Sequence, residues 1–107
     1  NLLTAKYYNY LLLEHKIGLP GKEYAKRRKL NEKELKEFLI GYAPIGYENL
    51  RNFLLRRGFN LSELVAWGLL VSKNGRVYDK FRGRLMFSIF DHQGDIVGFS
   101  GRLISDE

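Results

Sequence analysis

After Gly68 the hydrophobic period of this 107-residue chain changes from helical to two, and that change sets the kind of fold available to it. Leu69-Leu70-Val71 and Arg76-Val77-Tyr78 flank Asn74-Gly75. Asn-Gly between two apolar runs predicts a β-hairpin, because both central residues of a type I′ turn need positive φ. A second hairpin is predicted from Arg84 to Phe90 and from Asp95 to Arg102, around Asp91-His92-Gln93-Gly94. Before Gly68 the pattern is helical. The chain is therefore expected to be α+β, with amino-terminal helices over about 1–68 and a small antiparallel sheet of two hairpins over about 69–104.

The helical part has its own punctuation. Leu2 to Ile17 is apolar almost all round, so a helix there needs cover on most sides, and Gly18 and Pro20 are expected to stop it. Gly21 to Lys29 reads as a short helix rich in cations, with Tyr24 and Arg28 four apart on one face. Asn31 and Glu34 form a capping box for the next helix, whose inward stripe is Leu35, Phe38 and Leu39. Residues 41–46 then read as a loop. A further helix starts at about Glu48, turns Leu50, Phe53 and Leu54 inward, leaves Arg51, Arg56 and Arg57 wet, and ends at Gly58. Asn60 and Glu63 make a second capping box, leading through Leu64, Val65 and Trp67 to Gly68.

Charge narrows the function. Eighteen Lys and Arg against twelve Asp and Glu give a formal net charge of +6, which favours an anionic partner, nucleic acid ahead of an anionic membrane surface. Lys80, Arg82 and Arg84 alternate with Phe81, Gly83 and Leu85, so in one extended strand the three cations share a face. Like charges in a row are destabilising unless something negative lies on them. Arg102 closes the second hairpin, and Tyr78, Phe81 and Phe99 are interleaved with the cations. Cations on a sheet with nearby rings suit a single strand of nucleic acid, whose phosphates pair with the charges while bases stack. Phe81, Phe87 and Phe99 are read as core; Tyr78 is open between stacking on a base and packing inside. Asp79, at the head of the row, is expected to hold an arginine in a bidentate fork.

Other chemistries are poorly supplied. The sequence has no Asp-x-Asp pair, no Gly-x-Ser-x-Gly elbow and no phosphate loop. Ser100 has no histidine near it in sequence to act as its base. With no cysteine and two histidines far apart, neither a disulfide nor a cysteine-based zinc site is expected. No run approaches the length of a membrane span, so the chain is read as cytoplasmic, without a membrane partner. Asn1 in place of an initiator methionine suggests a piece of something longer.

Tyr78-Asp-Lys-Phe-Arg-Gly-Arg-Leu-Met-Phe-Ser-Ile and Gly98-Phe-Ser-Gly-Arg102 resemble the bacterial DnaG-type DNA primases. That family carries a Tyr-Asp-Arg-Phe-Arg-x-Arg-x-Met-Phe-Pro-Ile block, a turn, and Gly-Phe-Gly-Gly-Arg. Tyr24-Ala-Lys-Arg-Arg-Lys-Leu is similar to its Tyr-Leu-x-x-Arg-Gly-Leu signature, and Phe38-Leu-Ile-Gly-Tyr-Ala-Pro44 and Gly68-Leu-Leu extend the likeness over nearly the whole chain. The resemblance implies that residues 1–107 are the amino-terminal part of a primase RNA-polymerase core. A zinc-binding domain before it and a Toprim domain after it would hold Zn²⁺ and Mg²⁺ or Mn²⁺. It also implies template-strand contacts at Arg28, with Arg27 as the alternative, and at Arg102. Lys80, Arg82 and Arg84 would line the same basic surface, with Tyr78 and Asp79 in support. No residue of this segment is expected to be catalytic, and no cofactor is expected in it. The implied partners are a single-stranded DNA template and, through other regions, the replicative helicase. A non-catalytic nucleic-acid-binding or adaptor module that kept the same fold is the alternative.

Lys80 stands where the family has arginine, Ser88 where it has proline, Ser100 where it has glycine, and Lys29 where glycine follows the signature arginine. Lys80 keeps the charge and loses the bidentate fork.

Overall fold

In the computed structural model, which describes residues 1–104, the chain forms two units, one made of residues 1–44 and 83–104 and the other of Ile45–Arg82. The last three residues of the expected 1–107 span lie outside the described residues. The α+β class holds.

In the first unit, helix α1 (Leu2–Glu14) buries Thr4, Ala5, Tyr8, Leu11 and Leu12. It ends earlier than the sequence suggested. His15 is extended and its Nδ1 accepts from the Ile17 N–H at 3.0 Å, which starts a single 3₁₀ turn over Lys16–Gly18. Gly18 is there for space: a Cβ would sit 2.0 Å from the Leu11 carbonyl oxygen. Pro20 starts a helix rather than stopping one. It lies in the first turn of α2 (Leu19–Arg27), where its missing N–H costs nothing. The capping box of α3 (Glu32–Glu37) is as expected, with Asn31 Oδ1 accepting from the Glu34 N–H at 2.8 Å and Glu34 Oε1 accepting from the Asn31 N–H at 2.9 Å. Phe38, expected inward, is exposed, because the helix ends at Glu37 and Ile40 takes the buried place instead.

The expected loop at 41–46 contains a strand. β1 (Gly41–Ala43) is buried throughout and pairs antiparallel with β4 (Arg84–Phe90), which in turn pairs with β5 (Ile96–Leu103), in the order β1-β4-β5. Tyr42 lies opposite Leu85 and Gly41 opposite Met86. Directly opposed side chains share a face, so the sheet is covered on both sides. Tyr42 and Leu85 join Leu12, Tyr24, Ala25, Leu35 and Ile40 in one core cluster, with Phe87 packed against it. On the other face, Tyr8 meets Phe99 edge-on at 5.9 Å, and a Cβ on Gly41 would lie 2.4 Å from the Tyr8 carbonyl carbon. Asn9 of α1 reinforces this packing, donating from Nδ2 to the carbonyls of Leu35 (2.9 Å) and Ile40 (2.7 Å). Ser88, where the family motif has proline, donates its hydroxyl to the Leu39 carbonyl at 3.2 Å.

In the second unit, α4 (Asn49–Arg56) and α5 (Leu61–Ala66) accompany the hairpin of β2 (Leu70–Lys73) and β3 (Arg76–Asp79). Asn74 and Gly75 have φ of 53° and 79°, the double positive value that the Asn-Gly signal predicts. Gly58, with φ of 94°, sits just past the end of α4 as expected. Asn60 and Glu63 complete their capping box on α5. The two predicted hairpins thus fall into two sheets, β2-β3 and β1-β4-β5.

Candidate nucleic-acid interface

The basic row is not one strand. β3 ends at Asp79 and β4 starts at Arg84, with an irregular stretch between them. Lys80 and Arg82 belong to the second unit and Arg84 to the first. The single-face geometry expected for the three cations is therefore corrected: Gly83, at φ of 62°, turns the chain between them.

Two basic groups of the first unit share a side. Arg28 caps the end of α2 in the open, its guanidinium 5.1 Å from the Tyr24 ring centre, and Arg27 lies 5.7 Å from the same ring. Tyr24 is itself buried in the cluster with Tyr42 and Leu85. Arg102, exposed on β5, stands directly opposite Leu85, so it projects from the sheet face on which α2 packs. Arg84 is opposite Ala43 and Leu103, which places it on the other face. Sequence order gives no hint of this separation, because it depends on register.

In the second unit, Lys80 is exposed, with its ammonium 5.4 Å from the Phe81 ring centre. Arg82 is half-buried and donates from Nη1 to the Asp79 carbonyl at 2.6 Å. Its guanidinium lies 4.6 Å from the Tyr47 ring centre and 5.4 Å from that of Tyr78. Tyr78 packs edge-on against Tyr47, 5.5 Å between centres at 88°. Among the described residues none of Lys80, Arg82, Arg84 and Arg102 is in an ion pair.

Asp79 has a different task from the one expected. Its carboxylate is 2% exposed and accepts from the backbone N–H groups of Leu50 and Arg51, both at 2.9 Å. These are orphan donors in the first turn of α4, and Asp79 caps the helix across the fold. It meets Arg82 through its main-chain oxygen, so the bidentate fork is replaced by one bond. Burial pushes its pKa above the usual aspartate value of 3.8; the helix N–H bonds and the nearby Arg82 charge pull the other way and do not overcome it. Tyr42 is likewise pushed up by burial. Among the described residues no group of three or more His, Cys, Asp and Glu is placed to hold a metal ion. Among the described residues no helix is long and apolar enough to cross a membrane.

Tyr47, Lys73 and Arg76 were not anticipated from the sequence. Arg76 and Tyr78 are two apart on β3 and share a face, which period-two counting can show. Tyr47 comes from the far side of α4, joined to β3 by the Asp79 N–H donating to its carbonyl at 2.7 Å, and no local pattern announces it.

Fold and residues together define an α+β chain in which Arg27, Arg28, Arg76, Lys80 and Arg82 lie against aromatic rings. The chain belongs to the family of the DNA primase catalytic core, N-terminal domain, whose model matches residues 7–107. It is 41% identical over 102 residues to the DNA primase of Listeria monocytogenes, a match covering 94% of this chain and 16% of that protein. It is 43% identical over 89 residues to that of Deinococcus radiodurans, covering 81% and 16%. Among solved structures it is similar to a DnaG primase catalytic domain bound to single-stranded DNA (TM-score 0.86, 31% identity, 97% of this chain and 34% of that one). It is also similar to the RNA polymerase domain of Mycobacterium tuberculosis primase DnaG in complex with a double-stranded DNA oligomer with an overhang (TM-score 0.90, 31% identity, 100% and 33%).

Proposed function

We propose that this chain is the template-guiding part of a DNA primase, an enzyme that joins ribonucleotides on single-stranded DNA. The observation that carries the reading is the placement of Arg28 and Arg102 on one side of the first unit, both exposed, with Tyr24 backing Arg28. Guanidinium groups held on rigid elements pair with phosphate oxygens and fix a strand's path without reading its bases. Lys80 and Arg82 in the second unit, and Arg84 on the other face of the first unit's sheet, are further cations available to DNA, Arg82 with its orientation set by the Asp79 carbonyl. The solved relatives with bound DNA support the choice of ligand. In this reading the metal-dependent phosphoryl transfer, Zn²⁺, Mg²⁺ or Mn²⁺, and any contact with a replicative helicase belong to other segments of a longer polypeptide working where the chromosome is copied.

This chain alone is expected to bind single-stranded DNA weakly and to make no primer. Primer synthesis by the isolated chain overturns the division of labour. In the whole protein, replacing Lys80, Arg82 and Arg84 together by alanine is expected to weaken oligonucleotide binding and flatten its log–log salt slope by about 0.7 for each phosphate no longer neutralised. Unchanged binding removes those three from the interface.

A further inference from the structure

The β2–β3 hairpin carries a feature that template guidance by Arg28 and Arg102 leaves unused. A cavity of about 280 Å³ opens beside it, lined by Tyr47, Lys73, Asn74, Arg76 and Tyr78. Lys73 and Arg76 are directly opposed in the ladder, and like charges in that position destabilise a hairpin unless an anion bridges them. No carboxylate lines the cavity. Arg76 holds its guanidinium 5.6 Å from the Tyr47 ring centre and 5.9 Å from that of Tyr78, while Arg82 covers the same two rings.

We propose that this cavity binds a single nucleotide unit, its phosphate held by Lys73 and Arg76 and its base stacked on Tyr47. The size argues for one unit, since it lies at the small end of ligand sites and is far too small for a duplex. The chemistry argues for phosphate joined to an aromatic ring. A guanidinium lying against a ring keeps its outer N–H edge for a bidentate phosphate, and a tyrosine that is 50% exposed offers ring surface for stacking. The Tyr47 backbone is fixed to β3 by the Asp79 N–H, so the ring is presented by a rigid element. The inference rests on the template reading for its ligand class, and the unit has two sources, a nucleotide of the bound strand or a free nucleoside triphosphate.

The test uses the full-length protein that contains this chain, with an end-labelled oligothymidylate followed by anisotropy over a salt series and, separately, ATP followed by calorimetry. Lys73→Gln with Arg76→Gln lies on the exposed hairpin end, away from the core. The pair is expected to flatten the oligonucleotide salt slope by about 0.7 for each phosphate that the hairpin stops neutralising. Tyr47→Leu is expected to weaken binding roughly tenfold at every salt concentration with the slope intact. Loss of ATP binding in the same variants, with the oligonucleotide unaffected, assigns the same site to the free nucleotide. Wild-type binding of both probes by Lys73→Gln/Arg76→Gln overturns the inference, whatever Tyr47→Leu does to folding. Arg28→Ala/Arg102→Ala separates the two readings. If that variant alone has a flatter slope and the hairpin variant binds ATP as wild type does, the cavity is not a nucleotide site and template guidance stands. If the hairpin variant alone has a flatter slope, the cavity stands and guidance by Arg28 and Arg102 falls.

Discussion

Asp79→Ala is expected to be among the most damaging single substitutions in the second unit, although it removes only one small side chain. The carboxylate satisfies two backbone donors of α4, and the two are not equally exposed. Leu50 is 1% exposed, so its N–H has no access to water once the acceptor is gone. Arg51 is only half-buried, and water can replace much of what its N–H loses. A buried donor left unpaired costs about 1–3 kcal/mol and the loss of a helix cap about 1 kcal/mol, so about 2–4 kcal/mol is expected in all. Against that runs the relief of removing a buried charge, which puts the lower half of the range ahead. Asp79→Asn separates the two effects. It keeps one acceptor oxygen and sheds the charge, and is expected to cost about 1 kcal/mol or less. Urea denaturation of wild type and both variants measures the difference. A loss below about 0.5 kcal/mol in Asp79→Ala, the scale of an ordinary surface change, refutes the cap as described.

The same residue predicts a pH effect. Its folded pKa is raised above 3.8, so the stability it contributes is fully present below that value and is lost as pH rises through the folded pKa. Wild type measured against Asp79→Asn should therefore lose relative stability between acid and neutral pH, and a gain over that interval contradicts the burial argument. Gly41→Ala forces a Cβ against the Tyr8 main chain, which cannot swing aside; a loss of about 3 kcal/mol is expected in denaturation. Asn9→Ala leaves the Ile40 and Leu35 carbonyls short of a donor and is expected to cost about 1–3 kcal/mol, whereas Asn9→Asp, which sets a carboxylate against both oxygens, should cost more. Equal stability for the alanine and aspartate variants rules out the donation.

Features set by neighbours in sequence were legible. Both capping boxes, at Asn31 and Asn60, involve residues three apart, and the Asn74-Gly75 turn depends on two consecutive φ values. Features set by register or by distant partners were not. Three residues between a glycine-bearing start and Pro44 are too few to show a period, so β1 read as loop. Asp79 looked like an arginine partner because it stands at the head of the basic row, while its true partners at Leu50 and Arg51 are remote in sequence. The alternation of Lys80, Arg82 and Arg84 assumed an extended chain that Gly83 breaks. Of the interface, the arginine on Tyr24 followed from the spacing of four within α2, but the shared side of Arg28 and Arg102 needed the pairing of Arg102 with Leu85.

The most direct test of template guidance is the salt dependence of single-stranded DNA binding by the whole protein with Arg28 and Arg102 both replaced by alanine. With two phosphates no longer neutralised, the log–log slope should flatten by about 1.4, with little change in base preference. A wild-type slope and affinity in that variant contradicts template guidance, because Arg28 at the end of α2 and Arg102 on β5 would then not touch the strand.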